Sequence, residues 1–280
     1  MVNSNEKELN EMKNTNLLIV GAGRMAEAIL SGLINSRHPA LEKITITNNT
    51  DETRLAQLKQ SYNVQTSKNW QSEVQHHDVI LFAAPPNTHH NLFQKLSELI
   101  TNQLVITVAA GIDPTYMEKR LPEGVPVCWI MPNTAAQVGQ SMSTYVCGKY
   151  VNETHRNIIS LILLSIGEAE ELSEQQVHDL TAITGSAPAF VYAFVEALEE
   201  AAIENGVTPI QARKLVKTML SGSAAMIESG YEPSELRNQV ASPGGSTAEG
   251  LNKLEEGGFN TLVKDAVRAT NEHARSQGNH

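Results

Sequence analysis

Leu17-Leu18-Ile19-Val20-Gly21-Ala22-Gly23-Arg24-Met25-Ala26 is the stretch that decides how this chain folds. Four consecutive apolar residues suit a strand buried on both faces. Gly21 permits a tight turn, and Gly23 leaves the backbone bare where a pyrophosphate can approach. The residues that follow open a helix whose first amides lack an intrahelical partner. Ala26 occupies the third position of the Gly-x-Gly-x-x-Gly/Ala fingerprint, where alanine is tolerated. Taken alone the motif is weak. Here it follows a strand, opens a helix and begins the first βαβ unit, so Gly21, Ala22, Gly23, Arg24, Met25 and Ala26 are expected to bind a dinucleotide.

Outward from this motif, apolar runs at 44–47, 64–66, 79–82, 105–108, 127–130 and 144–146 alternate with helical stretches. Those stretches fall at 25–35, 51–60, 89–100 and 113–120. Strand and helix in alternation predict a doubly wound parallel sheet of the Rossmann type. Beyond residue 151 only 169–172 reads as a strand. Asn152 and Ser173 look like helix N-caps, each with an acid behind it. A helix over 188–205 carries a broad apolar face of Phe190, Val191, Phe194, Val195, Leu198, Ala201 and Ala202. Thr208-Pro209 begins another, closed by Gly230 and Pro233, and helices at 246–256 and 260–275 follow. The expected organisation is a flexible extension over 1–15, a dinucleotide-binding domain over 16–150 and an all-helical domain over 151–280. That apolar helix suits a domain core or a subunit interface equally.

With 280 residues, 41% of them hydrophobic, the chain can fill two cores. Its net charge of −10 argues against nucleic acid, whose phosphates need a basic face. An anionic ligand must then be held by local dipoles and a few cations. The longest apolar runs, 104–112 and 158–166, fall short of a membrane span. The first sixteen residues are polar and lack the apolar segment of a signal peptide, and Cys128 and Cys147 form no CxxC. Free thiols in a reducing cytoplasm are expected. No metal site is expected either: His76-His77 and His89-His90 are adjacent pairs, and no HxxxH or HExxH spacing occurs.

Two further stretches bear on ligands. Thr47-Asn48-Asn49-Thr50 ends the second strand, where an acid would hold the ribose of NAD. Neutral donors there accept a 2′-phosphate, with Arg24 or Arg54 in reach, so NADP is favoured. If Asp51 turned inward rather than capping the next helix, NAD would be preferred. Near the other end lies Val240-Ala241-Ser242-Pro243-Gly244-Gly245-Ser246-Thr247-Ala248-Glu249-Gly250. It reads as a proline stop, a bare glycine turn and a helix start, a corner suited to a small carboxylate.

These corners, in this order, resemble the pyrroline-5-carboxylate reductase family over nearly the whole chain after residue 16. The marks are Gly21 to Ala26, Ala109-Ala110-Gly111, Met131-Pro132-Asn133-Thr134, Gly185-Ser186-Ala187-Pro188-Ala189-Phe190 and Ser242-Pro243-Gly244-Gly245-Ser246-Thr247. The last is the specific one, with Pro233, Leu236, Val240, Leu251, Leu254 and Glu255 at the family's spacing. The resemblance implies hydride transfer from NADPH or NADH to 1-pyrroline-5-carboxylate, giving L-proline. It also implies a helical domain that dimerises by interleaving, as a homodimer or a dimer-based higher oligomer. It assigns Ser242, Gly244, Gly245, Ser246 and Thr247 to the substrate, with Thr247 as the catalytic candidate on the ring nitrogen. Asn48 and Asn49 are assigned to the adenosine ribose. Ala83, Ala84, Pro85 and Pro86, with Ala109, Ala110 and Gly111, are assigned to the rest of the cofactor.

Two positions depart from the family. Similar enzymes usually carry Val-Lys-Pro where this chain has Ala84-Pro85-Pro86, and arginine where it has Trp129. Both changes remove a cation. Two other readings therefore stand beside the reductase: a β-hydroxyacid dehydrogenase, which would need a lysine such as Lys214 or Lys217, and a nucleotide-binding paralogue without activity.

Overall fold

Strand β1 (Thr15–Val20) runs through the sheet with Leu17 to Val20 all withdrawn from solvent. Its side chains alternate between two cores: Leu17 and Ile19 join one apolar cluster, Leu18 and Val20 the other. Burying four such residues stabilises the fold by roughly 6–12 kcal/mol before chain entropy is counted. The computed structural model describes residues 14–278. The expected extension over 1–15 lies mostly outside these. Thr15 is not part of it, being already paired with Leu41 of the neighbouring strand.

The chain continues through α1 (Arg24–Ser36), β2 (Leu41–Thr47), α2 (Glu52–Tyr62), β3 (Gln65–Ser67), β4 (Val79–Phe82) and α3 (His89–Ser97). Then come β5 (Leu104–Thr107), α4 (Pro114–Glu118), β6 (Val127–Met131), β7 (Ser141–Cys147), α5 (Glu153–Leu164), β8 (Gly167–Glu171) and α6 (Glu174–Thr181). The eight strands lie in the order β3-β2-β1-β4-β5-β6-β7-β8. The reversal of direction about β1 is the doubly wound plan expected from the alternation of strand and helix. One core cluster packs α1, α2 and α5 on the sheet, and the other packs α3, α4 and α6.

The sheet is not wholly parallel, as the sequence suggested. β7 runs antiparallel to β6, while β8 returns parallel to β7. The connection over 132–140 is too short for the crossover that a parallel neighbour requires, so the chain folds back on itself. This pairing sets Cys128 opposite Cys147, and both thiols are free.

Two compact units are distinguished, Met1–Gly185 with Asn271–His280, and Ser186–Thr270. The division falls later than residue 150 because α5 packs on the sheet and β8 extends it. Asn152 and Ser173 cap α5 and α6 as expected, each in a capping box. The second unit contains α7 (Ala187–Glu204), α8 (Pro209–Glu228), α9 (Pro233–Val240) and α10 (Ser246–Glu256), and α11 (Phe259–Gly278) runs out of it. Glu199 of α7 is buried and forms a bidentate pair with Arg213 of α8, Nη2 to Oε2 at 2.8 Å. Pro233 was expected to close α8 but instead starts α9. The N–H that proline lacks has no helical partner in a first turn, so the residue costs nothing there.

A π-helical turn over Ala182–Ser186 joins α6 to α7, making Glu174–Glu204 one continuous helix. It is long and apolar enough to cross a membrane by length and composition, against the expectation drawn from uninterrupted apolar runs. That expectation missed it because acids recur along the helix without lowering its overall apolar character. Little of its most apolar stretch is buried: Val191, Tyr192 and Phe194 are exposed.

Two buried histidines have a consequence for stability. His77 sets Nδ1 against the Glu73 carbonyl at 2.7 Å and Nε2 against the Thr45 hydroxyl at 2.9 Å. His89 sets Nδ1 against the Pro85 carbonyl at 3.1 Å and Nε2 against the Thr107 hydroxyl at 2.8 Å. Burial holds both imidazoles below the ordinary value of 6.5, as it does the more open His38 and His155. The unfolded chain therefore takes up protons first as pH falls, and the stability these neutral rings provide is complete above 6.5 and lost below it. We predict a urea midpoint lower at about pH 5.5 than at about pH 7.5, with a smaller drop in His77→Gln. Equal midpoints at the two pH values would contradict this.

Candidate cofactor cleft and carboxylate corner

At the carboxyl ends of β1, β4 and β5 a cleft of ≈ 700 Å³ opens in the first unit. Its place is the one expected of a ligand site in a doubly wound sheet, beside the point where strand order reverses. Gly21, Ala22, Gly23, Arg24, Met25, Asn48, Asn49, Ala83, Ala84, Pro85, Pro86, Ala109 and Ala110 all line it. Ala26 and Gly111 do not. Ala26 is fully buried in the core beneath α1, which fits the third fingerprint position, where a small residue lets the helix approach the sheet.

The two glycines of the turn do different work. Gly21 has φ of +116°, and a Cβ there would stand 2.5 Å from the Ala83 carbonyl oxygen, so only glycine fits. A Cβ on Gly23 would meet nothing within 4 Å. Gly23 is the N-cap of α1 and has no side chain to bond the helix amides. Those amides face open space at the positive end of a 13-residue helix, which fits a pyrophosphate.

Of the two arginines considered for a 2′-phosphate, Arg54 is already engaged. Its Nε donates to the Ala22 carbonyl at 3.0 Å and its Nη2 to Glu27 Oε2 at 2.5 Å, bracing the turn from below. Arg24 is exposed at the cleft and forms no ion pair among the described residues. Asp51 caps α2, its carboxylate accepting from the Arg54 amide at 2.8 Å. It contributes nothing to the lining, so the end of β2 presents Thr47, Asn48 and Asn49 without an acid.

Trp70, Thr88 and Leu92 also line the cleft, and the sequence reading missed them. Trp70 lies in an irregular stretch that no periodicity marks, and it is placed by packing edge-on against Phe82 at 5.9 Å. Trp129 is buried and donates from Nε1 to the Ala109 carbonyl at 2.8 Å. The indole thereby ties down the loop after β5.

In the second unit Ser242, Gly244, Gly245, Ser246 and Thr247 form the expected corner. The Gly245 amide donates to the Ser242 carbonyl at 2.9 Å, and Gly244 takes φ of +72°. Gly245 is the N-cap of α10 and offers no side chain to it. Ser242, Ser246 and Thr247 are exposed, and their hydroxyls form no hydrogen bond among the described residues. The corner thus presents free amides and free hydroxyls together, the donor set a carboxylate takes.

Asn133 caps the turn after β6 through the Ala135 amide and donates from Nδ2 to the Thr184 carbonyl at 3.0 Å. Pro188 sits in the first turn of α7. Lys214 and Lys217 point to solvent on α8, as does Glu228 at its end. Asp113, Glu174 and His178 do bring three ligand-type atoms within 4.8 Å of one another, a grouping that sequence spacing gave no sign of. These atoms are mutually satisfied. His178 Nε2 lies 2.8 Å from Asp113 Oδ2, and Thr115 donates its amide and hydroxyl to Glu174. Burial opposes the Asp113 carboxylate, yet hydrogen bonds from His178 and the Tyr116 amide hold its pKa below the ordinary value.

Residues 174–277 match the model of pyrroline-5-carboxylate reductase dimerisation, and residues 16–111 match that of NADP oxidoreductase, coenzyme F420-dependent. Pyrroline-5-carboxylate reductase 1 of Bacillus spizizenii is 31% identical over 251 residues, spanning 89% of this chain and 84% of that protein. The reductase of Corynebacterium melassecola is 31% identical over 271 residues, 95% of this chain and all of its own. Among solved structures, the Plasmodium falciparum pyrroline carboxylate reductase with NADP bound superposes with a TM-score of 0.86 at 27% identity, covering 95% of this chain and 99% of that one. The Coxiella burnetii enzyme gives 0.85 at 28% identity, covering 94% and 98%. A likeness this long has one meaning: the chain belongs to the pyrroline-5-carboxylate reductase family.

Proposed function

We propose that this chain reduces the C=N bond of 1-pyrroline-5-carboxylate to L-proline with NADPH as donor, the last step of proline biosynthesis, NAD(H) also being accepted. The observation that carries the reading is the pair of bare helix starts. One, at Gly23, faces an open cleft in a Rossmann fold; the other, at Gly245, has free amides and hydroxyls around it. In a protein of net charge −10, two such local positive ends are what can hold a polyanionic cofactor and a carboxylate substrate.

The cofactor supplies the hydride. What remains for the protein is to position two reactants and manage one proton. The amides of α1 hold the pyrophosphate, and Arg24 with Asn48 and Asn49 holds the adenosine 2′-phosphate. Ala83, Ala84, Pro85, Pro86, Ala109 and Ala110 form the wall for the rest. The amides after Gly245 hold the substrate carboxylate, with Ser242, Gly244 and Ser246 around it. The Thr247 hydroxyl hydrogen-bonds the ring nitrogen. An iminium carbon accepts hydride readily, so keeping that nitrogen protonated is the chemical demand on the site. Hydride transfer requires the two corners to meet, within one chain or across two copies.

The helical unit over 186–270 serves substrate binding and association. Ile210, Phe194, Val240 and Leu262 stand exposed on its helices, with Ile210 at 84% and Val240 at 69%. Monomeric proteins rarely leave so many large apolar side chains open on neighbouring elements. A second copy covers them by interleaving helices, giving a homodimer or a dimer-based oligomer. The two free thiols suit a reducing cytoplasm.

Purified protein given 1-pyrroline-5-carboxylate and NADPH is expected to consume cofactor absorbance and form proline; turnover only with a hydroxy acid, or cofactor binding without turnover, would reject the reading. Three variants locate the parts. Gly23→Val should fold normally yet lose NADPH binding, because the new side chain fills open space where the pyrophosphate sits. Retained affinity would mean that the cofactor binds elsewhere. Arg24→Ala should raise KM for NADPH roughly tenfold, the worth of a charge-assisted contact, and leave KM for NADH nearly unchanged. Equal effects on both would remove Arg24 from the 2′-phosphate. Thr247→Ala should cut kcat about tenfold or more, and unaltered kinetics would take Thr247 out of the mechanism.

A further inference from the structure

Pro85 and Pro86 have no amide hydrogen, so the loop after β4 cannot be tied down through their amides. It is held through the Pro85 carbonyl, which accepts from the Thr88 amide at 3.0 Å, the Thr88 hydroxyl at 2.7 Å and His89 Nδ1 at 3.1 Å. The two Thr88 contacts are local to the loop. The third leads away from it. The His89 ring is fully buried, packed edge-on against Phe82 and Phe93, and its Nε2 meets the Thr107 hydroxyl at 2.8 Å. That hydroxyl in turn receives the Ala109 amide at 3.2 Å.

The polarity of this chain of contacts is determined throughout. A carbonyl can only accept, so Nδ1 carries the ring proton and Nε2 is bare. Nε2 must then accept from the Thr107 hydroxyl, whose other competing acceptor, the Phe82 carbonyl, lies farther away at 3.5 Å. The hydroxyl oxygen is left free to accept the Ala109 amide. One line of donors therefore runs from Ala109 through Thr107 and His89 to Pro85. It joins the loop after β5 to the loop after β4, and Pro85 and Ala109 both line the cofactor cleft.

We infer that His89, acting through Thr107, is a positioning residue for the cofactor: it fixes the spacing of the two loops that form one wall of the NADPH cleft. Its ring does not line the cleft. The inference rests on the assignment of this cleft to NADPH made above. Burial favours the neutral ring that the pattern of contacts requires.

The test is a double-mutant cycle read as NADPH affinity, with kcat and Tm measured alongside. Thr107→Val keeps the shape and removes the hydroxyl, His89→Phe keeps an aromatic ring among Phe82 and Phe93, and Thr107→Ser restores the hydroxyl. Each of the first two should weaken NADPH binding about tenfold, as expected for a broken buried hydrogen bond. Thr107→Ser should stay close to the parent, and the pair together should be no worse than the worse single change. A merely structural role would lower Tm but leave the affinity of the folded protein unmoved. Parental affinity in folded Thr107→Val, or losses that multiply in the pair, would overturn the inference. If His89→Phe fails to fold, Thr107→Val against Thr107→Ser still decides. Gly23→Val separates the two claims: NADPH bound by that variant removes the cleft assignment, whereas its loss there with parental affinity in Thr107→Val removes the His89 relay alone.

Discussion

The contact on which the first unit is built is the approach of the Gly21 backbone to the Ala83 carbonyl, with no room for a side chain between them. It lets β1 leave the sheet in a sharp turn at the point where strand order reverses. It also sets the start of α1 directly above the strand ends and brings the loop after β4 alongside. The cleft, its bare amides and its proline wall all follow from that one absent methyl group. Around the turn the support is polar and local. Arg54 spans from the Ala22 carbonyl to Glu27, and the Gly21 amide donates to the Thr47 carbonyl at 3.0 Å.

An acidic protein that handles an anionic cofactor and an anionic substrate cannot rely on its overall field. Under the proposed reading it uses oriented backbone groups instead, at two helix starts where glycine stands in place of a capping side chain. At most other helix starts of this chain a side chain does the capping: Asp51, Asp113, Asn152, Ser173 and Thr208 all bond an amide of the helix they precede. At Gly23 and Gly245, as at Thr88, Ser186 and Glu232, no side chain bonds the first amides of the helix. The arginines named above differ in what they hold. Arg54 braces the glycine turn, Arg213 is paired with Glu199, and Arg24 is left open at the cleft.

The helical unit follows a different rule. Its internal anchor is the paired Glu199 and Arg213, while large apolar side chains on its helices face outward. The sheet-based unit hides its apolar residues within two cores, and the helical one leaves large apolar side chains exposed.

Read alone, the amino-acid sequence determined the alternation of strand and helix, the change to helices in the second half and the two glycine corners, because each is written in neighbouring residues. Period, caps and breakers act over a few positions, and Leu17 to Ala26 or Ser242 to Thr247 contain all they need. Pro233 misled for the same local reason, since a proline that ends one helix and a proline that begins the next look identical until hydrogen bonds are counted. The tertiary structure alone decided which of the candidate groups are free. Arg54 and Arg24 are equivalent in the sequence, yet one lies under a turn it must brace and the other stands at the cleft. Trp70, His89 and Thr107 carried no signal, because their roles come from partners far along the chain that only folding brings within hydrogen-bonding or packing distance.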